Sequence, residues 1–160
     1  MKIRRTEAGD LNRVMEIYAK ARELMVANGN ATQWVDGYPS REVIERDMVK
    51  GNSYVCLDDE RIVAVFYFGV EVDPTYAVIY EGAWLNEQPY GVVHRMAVDA
   101  TKKGTATFCM EWCYDQAGNI RVDTHEDNKA MQRVLEKCGY AVCGRIVVAN
   151  GTSRVAYQKG

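Results

Sequence analysis

Residues 92–124 leave this chain few folds to choose from. Val92-Val93-His94-Arg95-Met96-Ala97-Val98 is a β-branched and apolar run of strand length. A short turn follows, and Thr107-Phe108-Cys109-Met110-Glu111-Trp112-Cys113 continues as a helix to about Ala117. Gly118-Asn119 then ends that helix with residues that tolerate the left-handed conformation, and Ile120-Arg121-Val122-Asp123-Thr124 reads as a second strand. Strand, helix and strand form one crossover unit, so the two strands are expected to be parallel.

The rest of the chain can be read around that unit. A short strand near residues 2–5 leads to Asp10 as a helix N-cap, with Leu11, Val14, Met15, Tyr18, Ala21, Leu24 and Met25 at helical spacing. Asn28-Gly29-Asn30 stops that helix, and an aromatic, turn-rich stretch at 31–39 precedes Ser40, which caps a second helix. Tyr54-Val55-Cys56-Leu57 and residues 62–68 form a hairpin across Asp58-Asp59-Glu60. Residues 76–79 and 82–85 are undecided between strand and loop, and Pro89-Tyr90-Gly91 bends the chain into the central strand. Asp127 is placed as the cap of a further helix with Met131, Val134, Leu135 and Cys138 on one face. Two final strands join through Asn150-Gly151, a hairpin turn signal.

Composition removes several classes of function. With 160 residues, 48% hydrophobic and 26% charged, the chain is sized for one domain over residues 1–160. A net charge of -2 supplies no broad basic face for a phosphate backbone, so nucleic acid is not an expected partner. The five cysteines are scattered and lack C-x-x-C pairs, which reads as small buried residues in a reduced compartment with no metal. No apolar run reaches membrane-spanning length and the N-terminal residues lack a signal-peptide core, so no membrane partner is expected and the expected location is cytoplasmic.

Asp99 to Ala106 links the central strand to a helix, and Gly104 with Ala106 removes side-chain bulk where helix N-terminal amides can face a phosphate. Lys103-Gly104-Thr105 is not a P-loop, because position 98 is valine and the Lys-Gly order is reversed; there is no G-x-G-x-x-G. Nucleotide hydrolysis and dinucleotide redox chemistry therefore lack support. Downstream, Asn128, Met131, Leu135, Gly139 and Tyr140 keep a regular spacing through a helix and its glycine stop.

Together these segments resemble the GNAT-type N-acetyltransferase superfamily, over nearly the whole chain and most specifically between Val92 and Tyr140. The resemblance implies an α/β fold, a mixed central sheet flanked by helices, and acetyl-CoA as acyl donor with no metal. It places the coenzyme A pyrophosphate on Thr101, Lys102, Lys103, Gly104, Thr105 and Ala106, although Thr101 stands where the family has glutamine or arginine and the loop is short. It sets the backbone of Met96, Ala97 and Val98 beside the thioester, with amides near Met96 and Ala97 stabilising the oxyanion. It also implies that Asn128 contacts the pantetheine arm, with Met131 beside it, between splayed central strands. Where many relatives carry a tyrosine acid, this chain has Leu135. A thiol with a pKa near 8.5 leaves with little help, so the reaction survives that loss.

An alkylammonium of pKa about 10.4 is mostly protonated at pH 7, so attack on a thioester needs a base. His94 is the first candidate, on a strand face expected to hold Val92, Met96 and Val98 while Arg95 points the other way. Glu81 and Glu71 are the other two, a hydrogen-bonded core role for His94 stays open, and His125 reads as structural. Gln33, Trp34 and Tyr38, with Trp84, Tyr90 and, as a further candidate, Tyr80, are the expected acceptor pocket, against the plain alternative that they pack the core. The expected function is acetyl transfer from acetyl-CoA to a primary amine of a small molecule or peptide by direct attack. The alternative is a non-catalytic acyl-CoA-binding regulatory domain. Acceptor identity, the length of the acyl donor and a homodimer are left open.

Overall fold

The computed structural model describes all 160 residues, Met1 to Gly160. In chain order they form β1 (Lys2–Arg5), α1 (Leu11–Ala27), α2 (Arg41–Val49), β2 (Ser53–Asp58) and β3 (Arg61–Val70). There follow β4 (Gly91–Val98), α3 (Thr105–Ala117), β5 (Ile120–Thr124), α4 (Lys129–Lys137), β6 (Ala141–Val147) and β7 (Ser153–Lys159). The strands make one seven-stranded mixed sheet in the order β1-β2-β3-β4-β5-β7-β6. β4 and β5 are parallel, pairing Gly91 with Ile120 and Val92 with Arg121, as the crossover demands. No helix is long and apolar enough to cross a membrane. The chain divides into two compact units, one of Met1–Phe68 with His94–Cys109 and one of Gly69–Val93 with Met110–Gly160.

In the first unit the helical periodicity of α1 meets the alternation of the sheet. Val14, Ile17 and Tyr18 from α1 and Ile44 from α2 form a buried cluster with Val55, Ile62, Val65 and Ala97. Ser40 caps α2 as its sequence suggests, accepting a hydrogen bond from the Val43 amide at 3.3 Å. Asp10 does not cap α1 with its side chain. It belongs to a short 3-10 turn at Ala8–Asp10, and its carboxylate takes the Glu7 amide at 2.7 Å and the Arg4 guanidinium at 2.7 and 3.1 Å. A nearby arginine outcompetes the helix amides for that carboxylate.

The second unit is closed by the β6–β7 hairpin, whose turn holds Gly151 at φ 83. Residues 76–85 are neither of the two short strands left open above. Pro74–Tyr76 is a 3-10 turn, and the segment beyond it is stitched to β6 by reciprocal Tyr80–Arg145 amide bonds of 2.8 Å and an Ala83-to-Cys143 bond of 3.0 Å. That close approach requires Gly82 and Gly144, because a β-carbon on Gly82 would collide with the Cys143 carbonyl and one on Gly144 with the Tyr80 carbonyl. Polar groups clasp the next residues: Gln158 Oε1 accepts the Leu85 amide at 2.8 Å, and the Asn119 amide nitrogen reaches Asn86 Oδ1 at 2.9 Å and Pro89 O at 3.1 Å. Asn128, not Asp127, caps α4, its Oδ1 accepting from the Met131 amide at 3.1 Å.

Candidate functional site

The loop after β4 is built on one carboxylate. Asp99 Oδ1 accepts the Thr101 amide at 3.0 Å, and Asp99 Oδ2 accepts from Arg13 and Arg61, each at 2.7 Å. The Thr101 amide, then the two arginines, hold the Asp99 carboxyl down to about 2. The expected phosphate residues are therefore ordered by a turn, with Gly104 at φ 80 just before α3. A side chain at Gly104 would meet open space. Thr105 and Ala106 lie inside the first turn of α3, so the helix begins two residues before the apolar run and its leading amides have no intrahelical acceptor. Thr105 is buried, its hydroxyl donating to Lys102 O at 3.0 Å. Lys102 pairs with Asp58 at 3.2 Å. Beside the loop a cavity of about 190 Å³ is lined by Arg13, Glu16, Ile17, Lys20, Arg61, Val98, Asp99 and Thr101.

β4 departs from the regular alternation assumed above. Arg95 adopts φ 52, a left-handed conformation that costs a non-glycine residue on the order of 1–2 kcal/mol. The consequence is visible in the side chains. His94 stands 5.8 Å from the Tyr67 ring and the Arg95 guanidinium 5.0 Å from the same ring, so the two neighbours do not point to opposite faces. Arg95 Nε and Nη2 donate to the two Asp47 oxygens at 3.0 and 2.8 Å, and Nη1 donates to Tyr38 Oη at 3.1 Å. Burial works against that charge, but Tyr38 and Asp47 more than offset it, and the guanidinium sits above its ordinary range. The Arg95 carbonyl accepts from the buried Tyr18 hydroxyl at 2.7 Å. Asp47 was not among the expected site residues. Its signal was a carboxylate one turn from Ile44 on the inward face of α2.

The expected acceptor residues separate into three kinds. Tyr38 is exposed and joined to Arg95, so it shares an environment with His94. Gln33 accepts from Asn30 at 3.0 Å, and Trp34 packs edge-on against Tyr18 with centroids 5.6 Å apart. Trp84 and Tyr90 instead clamp the buried Arg121 guanidinium, at 4.4 and 4.2 Å from their ring centres. Trp84 Nε1 also donates to Tyr76 O at 3.0 Å, and Tyr90 Oη takes the Asp73 amide at 3.0 Å. Of the other base candidates, Glu71 follows β3 and Glu81 lies in the loop at φ 56, its carboxylate 3.8 Å from Arg145. His125 is buried, with Nδ1 accepting the Asp127 amide at 3.0 Å, in keeping with a structural role. Leu135 is fully buried in α4. No group of three potential metal ligands is present.

No family model and no curated protein sequence matches the chain. Solved structures do. A GNAT-family acetyltransferase from Streptococcus agalactiae 2603 is 30% identical, with 99% of this chain and 94% of that one covered and a TM-score of 0.91. The chain belongs to the GNAT acetyltransferase family. Two more distant structures share the fold over 99% of this chain. One is the ribosomal-protein-alanine N-acetyltransferase of Brucella melitensis, with 18% identity, 99% of its own chain covered and a TM-score of 0.65. The other is yncA of Salmonella typhimurium, solved with its cofactor acetyl-CoA, with 18% identity, 92% of its chain covered and a TM-score of 0.62. The GNAT fold accounts for the mixed sheet and four helices.

Proposed function

We propose that this GNAT protein uses residues 1–160 as one N-acetyltransferase domain, moving an acetyl group from acetyl-CoA to a primary amine of a small molecule or peptide. The observation that carries the reading is the combination of family membership with the ordered turn from Asp99 to Gly104 that opens α3. Leading amides at a helix N-terminus and a glycine facing open space suit the pyrophosphate of a coenzyme. Thr101, Lys102, Lys103, Gly104, Thr105 and Ala106 are the proposed phosphate residues.

The left-handed step at Arg95 supports a role for the next amides, those of Met96 and Ala97, in holding the thioester oxygen as it gains charge, with Val98 continuing along the acyl chain. His94 is the proposed base. The imidazole first takes one proton from the ammonium, directly or through one water; the neutral nitrogen then attacks the thioester carbon, the nitrogen of the adduct gives its second proton to solvent, and the C–S bond breaks to leave amide and coenzyme A thiolate. The thiolate is its own leaving group, which suits a helix with Leu135 at the position of an acid. Asn128 caps α4 through Oδ1 and is also the proposed contact to the pantetheine arm, beside Met131. Gln33, Trp34 and Tyr38 are the proposed acceptor residues, while Trp84 and Tyr90 are engaged with Arg121 in the second unit.

The test is release of free thiol when the protein, acetyl-CoA and a panel of amines are mixed. Acceleration above background by at least one amine is expected. Acetyl-CoA binding without thiol release from any amine would replace this reading with that of a regulatory acyl-CoA-binding domain.

A further inference from the structure

We propose that Asp47 is a positioning residue for acetyl transfer: through the Arg95 guanidinium it holds β4 in the left-handed step that aims the Met96 and Ala97 amides. The inference rests on the acetyltransferase reading above.

Arg95 is restrained along two directions leaving its Cα. Its carbonyl is fixed by the Tyr18 hydroxyl at 2.7 Å. Its side chain is fixed by the paired bonds to Asp47 at 3.0 and 2.8 Å, by Tyr38 at 3.1 Å and by the Tyr67 ring 5.0 Å from the guanidinium. With both directions set, the backbone dihedrals of Arg95 have little room to relax to the ordinary extended values of a strand. Asp47 is itself delivered by a rigid element: α2 is capped by Ser40 and anchored by the fully buried Ile44 one turn earlier. The side chains of Asp47 and Arg95 are only 8% and 17% exposed. Such a buried pair contributes little net stability against an apolar alternative, and its best attested use is to specify one conformation. Fork-to-fork geometry adds direction as well as attraction.

The residue type supplies the discriminating test. Glycine would take φ 52 without strain, whereas arginine needs to be held there. If Asp47 acts by holding the step, the carboxylate becomes dispensable once position 95 is glycine.

Full-length Asp47→Asn, Arg95→Gly with Asp47→Asn, and Tyr18→Phe are compared with the unmodified protein. In ligand-free Asp47→Asn the backbone amide resonances of Met96 and Ala97 should move while those of β6 do not. Its kcat should fall by roughly tenfold to hundredfold with the KM for acetyl-CoA within threefold, because misplacement of the reacting geometry is what is lost. The double variant should return the Met96 and Ala97 resonances toward those of the unmodified protein, whereas its kcat also reflects the loss of the Arg95 bond to Tyr38. Tyr18→Phe, which removes only a hydroxyl, should reproduce the Asp47→Asn behaviour and serves if Asp47→Asn does not fold. Unmoved Met96 and Ala97 resonances in both single variants, or a double variant whose Met96 and Ala97 resonances stay as displaced as in Asp47→Asn, would overturn the proposal. Moved resonances in a protein that transfers acetyl to no amine would overturn the acetyl-transfer reading and leave the backbone lock standing.

Discussion

At the scale of single residues, charge is placed where the backbone has to be bent. Asp99 collects one amide and two guanidinium groups at the end of β4, and its carboxyl is lowered to about 2 from an ordinary value near 3.9. A carboxyl lowered on folding stabilises the fold above its unfolded pKa and loses that contribution as pH falls toward the folded value. Asp99→Asn should therefore cost on the order of 1 kcal/mol at pH 6, after allowance for solvent screening of the two arginines, and the gap from the unmodified protein should close between about pH 4 and 2. Urea unfolding at a series of pH values measures it, and a gap constant down to pH 2 would contradict the assignment. His94 carries the most exposed functional expectation. His94→Gln should lower turnover by a factor on the order of 10² to 10⁴ with acetyl-CoA affinity nearly intact, and the acidic limb of the kcat/KM profile should vanish once the acceptor's own ionisation is subtracted. An unchanged acidic limb would move attention to Glu81 and Glu71.

At the scale of elements, helix ends and strand contacts carry the information. Asn128 caps α4 through Oδ1, so Asn128→Ala should lose about 1 kcal/mol of stability in denaturant titration. Asn128→Asp keeps a good cap but removes an amide donor and adds negative charge. It should fold like the unmodified protein and bind coenzyme A more weakly by calorimetry, and equal affinity would confine Asn128 to capping. The stitching of residues 80–83 to β6 makes a second element-scale prediction. Gly82→Ala drives a methyl group into the Cys143 carbonyl and should destabilise by on the order of 2 kcal/mol. Gly9→Ala, where the added carbon meets nothing within 4 Å, should stay within about 0.5 kcal/mol of the unmodified protein in the same assay.

At the scale of the whole molecule, ligand binding should register as stability. Acetyl-CoA at one hundred times its dissociation constant adds about 2.7 kcal/mol, which for a chain of this size is a rise in Tm of roughly 5 to 10 °C. Gly104 is the control point. Gly104→Asn tolerates the left-handed backbone and places a side chain in open space, so it should fold normally and lose most of the ligand-induced rise. Gly104→Val would lose it as well, but strain at φ 80 enters that result. A full rise in Gly104→Asn would exclude this loop as the phosphate site.

The sequence by itself determined the order and type of most elements, because helical spacing in α1, β-branched runs in β2 to β4 and turn residues at Gly118-Asn119 and Asn150-Gly151 are local signals. The spacing from Val92 to Tyr140 also resembled the family that the comparison with solved structures then showed. Tertiary structure decided what local pattern cannot encode. Arg95 escapes strand alternation because Asp47 and Tyr18, 48 and 77 residues earlier in the chain, grip its two ends. Trp84 and Tyr90 close on Arg121 because a buried guanidinium needs partners, and Asp10 turns to Arg4 in place of the α1 amides. For Arg95 and Arg121 a long-range charged or aromatic contact decided the outcome, and such contacts exist only after the chain has folded; for Asp10 a guanidinium six residues away outweighed a capping preference worth about 1 kcal/mol.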